Sequence, residues 1–68
     1  MKSKTFNVGE KFIKLGDPKT VWVVRQVKEF PGLPPHAELK AQGYRNRMML
    51  MSQEALANPR MYHRIENN

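Results

Sequence analysis

Apolar residues in this chain come in short runs separated by glycine- and proline-containing breaks. The densest run is Thr20, Val21, Trp22, Val23, Val24, Arg25, Gln26 and Val27. It is rich in β-branched side chains, which suit extended, half-buried backbone. Its odd positions are Val21, Val23, Arg25 and Val27, and its even positions are Trp22, Val24 and Gln26. Both faces start apolar and end mixed. A long strand that coils or bulges midway, serving two halves of a sheet, has this pattern.

Four further strands are expected around it. Lys11 to Leu15 is the first, after a turn at Phe6 to Glu10 in which Gly9 is free to take a left-handed conformation. Gly16 to Lys19 reads as the turn into the long strand. Pro31, Gly32, Leu33, Pro34 and Pro35 form an extended, partly polyproline-like connection, because proline fixes φ and removes a backbone donor. His36 to Ala41 alternates cleanly, with Ala37, Leu39 and Ala41 on one side and Glu38 and Lys40 on the other. Gln42 to Asn46 is a hairpin loop around Gly43, and Arg47 to Met51 is a fourth strand, apolar on both faces. Ser52 is a helix N-cap with Glu54 in the first turn. Asn58 and Pro59 stop that short helix, Leu56 plugs one end of the core, and Met61 to Ile65 closes the chain as a last strand.

The order predicts an all-β fold and resembles that of a small five-stranded SH3-like barrel with one helical turn before the last strand. Gly9-Glu10-Lys11-Phe12, Pro18-Lys19-Thr20-Val21 and Ser52 with Ala55-Leu56 ahead of a short final strand resemble small bacterial SH3-like barrel proteins, among them KOW-type and Tudor-like domains. The likeness covers roughly residues 8–65. Sixty-eight residues make a single domain, 1–68, with disorder expected at the polar ends 1–5 and 66–68. Type II dihydrofolate reductases share the architecture, but the polar glutamine of their fourth strand has no counterpart in Met48, Met49, Leu50 and Met51. Reductase activity is therefore not carried over.

Charge directs the functional reading. Twelve Lys and Arg face six Asp and Glu, a net charge of +6 on 68 residues. Such a balance favours encounters with polyanions. The basic residues are dispersed, so a basic face has to be assembled by the fold. The absence of cysteine excludes disulfides and thiolate metal sites and agrees with a cytoplasmic setting. Met1 to Lys4 is charged without an apolar stretch behind it, so neither a secretory signal nor a membrane association is expected.

Catalytic chemistry finds little support. Asp17 is the sole aspartate, and His36 and His63 lie in distant segments with no grouped carboxylates. No triad, metal-ligand spacing or glycine-rich phosphate loop is present, so no catalytic residue, metal, cofactor or small-molecule substrate is expected. Ser52 is accounted for as a cap, and the Pro31–Pro34 P-x-x-P pattern as a rigid loop.

The candidates are binding residues. Lys11, Lys14, Arg25, Arg45, Arg47 and Arg64 would supply phosphate contacts, with Trp22 and Tyr44 stacking on bases. Trp22 also fits a core position, since so short a chain needs its largest side chain inside. The expected activity is that of a basic module contacting RNA, DNA or a ribonucleoprotein. The alternative is a protein-interaction module or homodimer using an open strand edge or the Met48, Met49 and Met51 surface.

Overall fold

The computed structural model of the chain describes residues 6–65. The chain forms β1 (Lys11–Lys14), β2 (Asp17–Lys28), β3 (His36–Ala41), β4 (Met48–Ser52), α1 (Gln53–Leu56) and β5 (Tyr62–Ile65). The strands make one five-stranded antiparallel sheet in the order β4-β3-β2-β1-β5. The expected disorder at 1–5 and 66–68 lies outside the described residues.

β2 is the shared element. Its earlier residues pair with β1 and its later ones with β3. Thr20, Trp22 and Val24 are buried on its inner face. The register with β3 then shifts between Val24 and Gln26, a β-bulge that brings Val27 opposite the buried Ala37. The bulge turns Arg25 and Gln26 both outward. This is the midway change that the mixed faces of the run predicted.

Most strand ends fall within one residue of the sequence reading, and two regions differ by more. Lys14 pairs with Asp17, so the turn is Leu15-Gly16, and Asp17 to Lys19 belong to β2. Pro18 is tolerated there because it lies at the start of the strand, exposed, where a missing donor costs little. The Thr20 hydroxyl donates to the Asp17 carboxylate at 2.9 Å and ties that start down. The second difference is in the proline-rich loop. Leu33 N–H donates to the Phe30 carbonyl at 3.1 Å and Gly32 has φ of +77°, so Pro31-Gly32 makes a tight turn instead of an extended run. The His36 ring then folds back, its Nδ1–H donating to the Pro34 carbonyl at 2.8 Å.

The core lies between the inner face of the sheet and α1. Phe12, Val24, Leu39 and Leu56 are fully buried, joined by Phe6, Trp22, Ala37, Ala41 and Tyr62. Phe6 meets Phe12 edge to face at a centroid distance of 4.9 Å. Ser52 ends β4 and caps α1, accepting the Ala55 N–H at 3.1 Å, as its position in the sequence predicted. Next to it, Gln53 is buried and accepts the Phe6 N–H at 2.9 Å.

The sheet does not close by hydrogen bonding. Among the described residues there is no β4–β5 ladder, and the two strands are the free edges of the sheet. They approach through side chains, with the Tyr62 hydroxyl 3.8 Å from the Met51 sulfur, and α1 packs on both.

Candidate nucleic-acid interface

The outer face of the sheet carries a basic cleft. Antiparallel partners share a face, so the register reads directly across it. One row runs Met48, Lys40, Val23, Lys11, Ile65 from β4 to β5. Val23 and Lys40 line an open cleft of about 650 Å³, together with Arg25 and with Gln42, Tyr44 and Arg45 of the β3–β4 hairpin. Three elements build it. The alternation of β3 points Lys40 outward, the bulge in β2 re-aims Arg25, and the hairpin reverses at Gly43 with φ of +87°. A hydrogen bond at 2.7 Å from Gln42 N–H to the Val21 carbonyl fixes the hairpin against β2.

The charged residues lining the cleft are all cations: Arg25, Lys40 and Arg45. Among the described residues none of them is in an ion pair. The nearby carboxylate of Glu38 is committed elsewhere. It accepts from Gln26 Nε2 and lies 3.5 Å from Lys28 Nζ. The Gln26 hydrogen bond, then the Lys28 charge and more weakly Arg25, hold Glu38 below its ordinary range against a partial loss of solvation. Lys28 thus offsets Glu38, and the cleft keeps its positive charge.

Tyr44 is the aromatic member. The residue is 46% exposed, and the Arg47 guanidinium carbon lies 4.8 Å from the ring centroid. The same guanidinium lies 5.6 Å from the centroid of the Trp22 ring. One cation therefore rests on a cleft aromatic and a core aromatic at once.

The structure brings together some of the residues singled out in the sequence and separates others. Arg25, Tyr44 and Arg45 line the cleft, Arg47 stacks beside it, and Lys11 lies on the same face one strand away, across Val23. Trp22 is corrected to the core. It is only 5% exposed, because even positions of β2 before the bulge face inward, so it offers no surface for stacking. Its indole Nε1 has no hydrogen-bond partner among the described residues. Lys14 shares the face of the buried Tyr62, opposite the cleft. Arg64 pairs with Glu10 and lines a separate hollow of about 430 Å³ with Phe6 and Leu56. Lys40 was missed as a site residue, although the alternation of its strand already placed it on the polar face. Of the methionines, Met48 is exposed on the outer face while Met49 and Met51 pack against the core.

Among the described residues no three His, Asp or Glu side chains gather as metal ligands, and no helix is long and apolar enough to cross a membrane. No protein-family model, curated protein or solved structure matches the chain.

Proposed function

We propose that this protein is a nucleic-acid-binding module that works by binding, without catalysis, through the cleft on the outer face of its sheet. The observation that carries the reading is the convergence of Arg25, Lys40 and Arg45 on one cleft, none of them in an ion pair among the described residues, beside the exposed ring of Tyr44. Cations gathered in a concave site without ion-pair partners favour phosphate oxygens, and a neighbouring aromatic offers a face to a base. The strand order, with one long strand shared between two halves, supports taking the chain as an SH3-like barrel open along one seam. A cysteine-free chain with this surface fits work in the cytoplasm.

The test is a titration of the protein with mixed RNA and DNA oligonucleotides at increasing salt. Three phosphate contacts from the cleft give a slope of log affinity against log salt of about −2 on single strands. Absence of binding at low salt removes the proposal.

A second reading rests on a separate observation. β4 is a free edge without a charged residue or proline, and its Met48 and Leu50 are 43% and 50% exposed. Edges of that kind pair with other strands unless they are guarded. Under this reading the protein forms a homodimer or binds an extended peptide along β4. A salt-insensitive dimer in sedimentation favours it, and a monomer at all concentrations removes the homodimer.

A further inference from the structure

The inference rests on the nucleic-acid reading and specifies its ligand: we propose that the cleft takes a single strand, one unpaired base of which stacks on Tyr44, with Arg47 as the positioning residue that holds the ring. The size of the site is the first argument. An open cleft of about 650 Å³ matches the bulk of one or two nucleotides. Its cations surround this one cleft, with Arg25 and Lys40 on the sheet and Arg45 on the hairpin. That arrangement grips a short stretch of backbone locally.

The second argument is the anchoring of Tyr44. An exposed tyrosine on a hairpin tip ordinarily samples several rotamers, and a ligand that stacks on it has to freeze them. Here Arg47 covers one face of the ring at 4.8 Å and reaches the core ring of Trp22 at 5.6 Å. The loop aromatic is thereby tied to a buried aromatic through one guanidinium. A ring held this way presents its remaining face with part of the ordering cost already met. Bases stack on such a platform only when unpaired, so the site selects single strands.

Trp22 makes the arrangement readable. It is the only tryptophan in the chain, and Arg47 touches it directly. A base that settles on Tyr44 and presses on Arg47 changes the surroundings of the indole without touching it.

The experiment titrates the full chain with three probes at one salt concentration: oligouridylate, an RNA duplex of the same length, and inorganic polyphosphate. Both affinity and Trp22 fluorescence are followed. Oligouridylate binds tightest and is the probe that shifts the fluorescence. Tyr44→Leu weakens oligouridylate roughly 5- to 100-fold and leaves polyphosphate unchanged, while Tyr44→Phe binds as the parent does. Arg47→Ala weakens oligouridylate and abolishes the fluorescence response, and Arg47→Lys restores part of both. An unchanged circular dichroism spectrum shows each variant folded. If Tyr44→Leu leaves oligouridylate affinity intact while Arg25→Ala still lowers it, base stacking is overturned and the cleft remains a nucleic-acid site. If duplex and single strand bind equally, single-strand selection is overturned. If none of the probes binds, the underlying reading falls, and this inference with it.

Discussion

The Tyr62 hydroxyl donates to the Met51 sulfur across the seam between β5 and β4. These strands are the opposite edges of the sheet and share no backbone ladder among the described residues. The sheet thus curls until its edges meet through a side-chain contact, and burial of Tyr62 at the seam has a chemical consequence. Burial pushes its phenol above the ordinary value of 10.0, because the phenolate loses solvation there.

A group whose pKa is raised on folding stabilises the fold fully below its unfolded value and loses that contribution as pH climbs through the folded one. Stability is therefore expected to fall above pH 10 as Tyr62 ionises. Denaturant titrations of Tyr62→Phe and the parent test this. The variant should lose less stability over that interval, and equal losses would assign the effect to another group.

Glu38 gives the opposite sign at the acid end. Its carboxyl is held below 4.5 by Gln26 and then by Lys28. A depressed pKa contributes stability above the unfolded value, and that contribution disappears as pH falls through the folded one. The effect is small for a partly exposed group on the sheet surface. Glu38→Gln should flatten the decline in stability below pH 4.5, as read from midpoints of thermal melts at stepped pH.

Leu39 is wholly buried at the centre of β3. Leu39→Ala is expected to cost about 2–5 kcal/mol. A domain of this size has a net stability of only about 3–5 kcal/mol. The variant should be largely unfolded at room temperature, which the amide proton dispersion in an NMR spectrum reports. A well-dispersed spectrum would mean that the core is elsewhere.

Gln53 tests how the start of the described chain is held. Gln53→Leu keeps the volume but removes the acceptor for the Phe6 N–H. Leaving that buried donor unmet costs about 1–3 kcal/mol, offset in part because the substitution also removes Gln53 Nε2, itself buried without a partner among the described residues. Urea denaturation should show a lower midpoint with an unchanged slope.

Much of the fold was legible where local chemistry and tertiary placement agree. The alternation of Ala37, Leu39 and Ala41 gave β3 its bounds as observed, and Ser52 acted as the cap it was read to be. The bulge in β2 was visible in the switch from apolar to mixed faces, but its place was not, since the shift at Arg25 depends on the register with β3. Asp17 to Lys19 looked like a turn because Asp and Pro favour turns, whereas pairing with Lys14 holds the backbone extended.

The site was legible in composition and only partly in place. Arg25, Tyr44 and Arg45 were singled out by residue type, but their meeting in one cleft depends on the fold, and Lys40 joins them because β3 carries it to the same face. Trp22 could not be placed by sequence. Both faces of its strand are apolar at that point, and only the pairing with Ala41 and Phe12 turns it inward. Nothing in the spacing marks Arg64 as the partner of Glu10, 54 residues away.

The most direct test of the account is a map of amide chemical shifts during titration with oligouridylate. Shifts concentrated at Val23, Arg25, Lys40 and Gly43 to Arg45, and fading as salt is added, are the predicted result. Shifts confined to Met48 through Met51 on the β4 edge, or a spectrum that does not change at low salt, would contradict it.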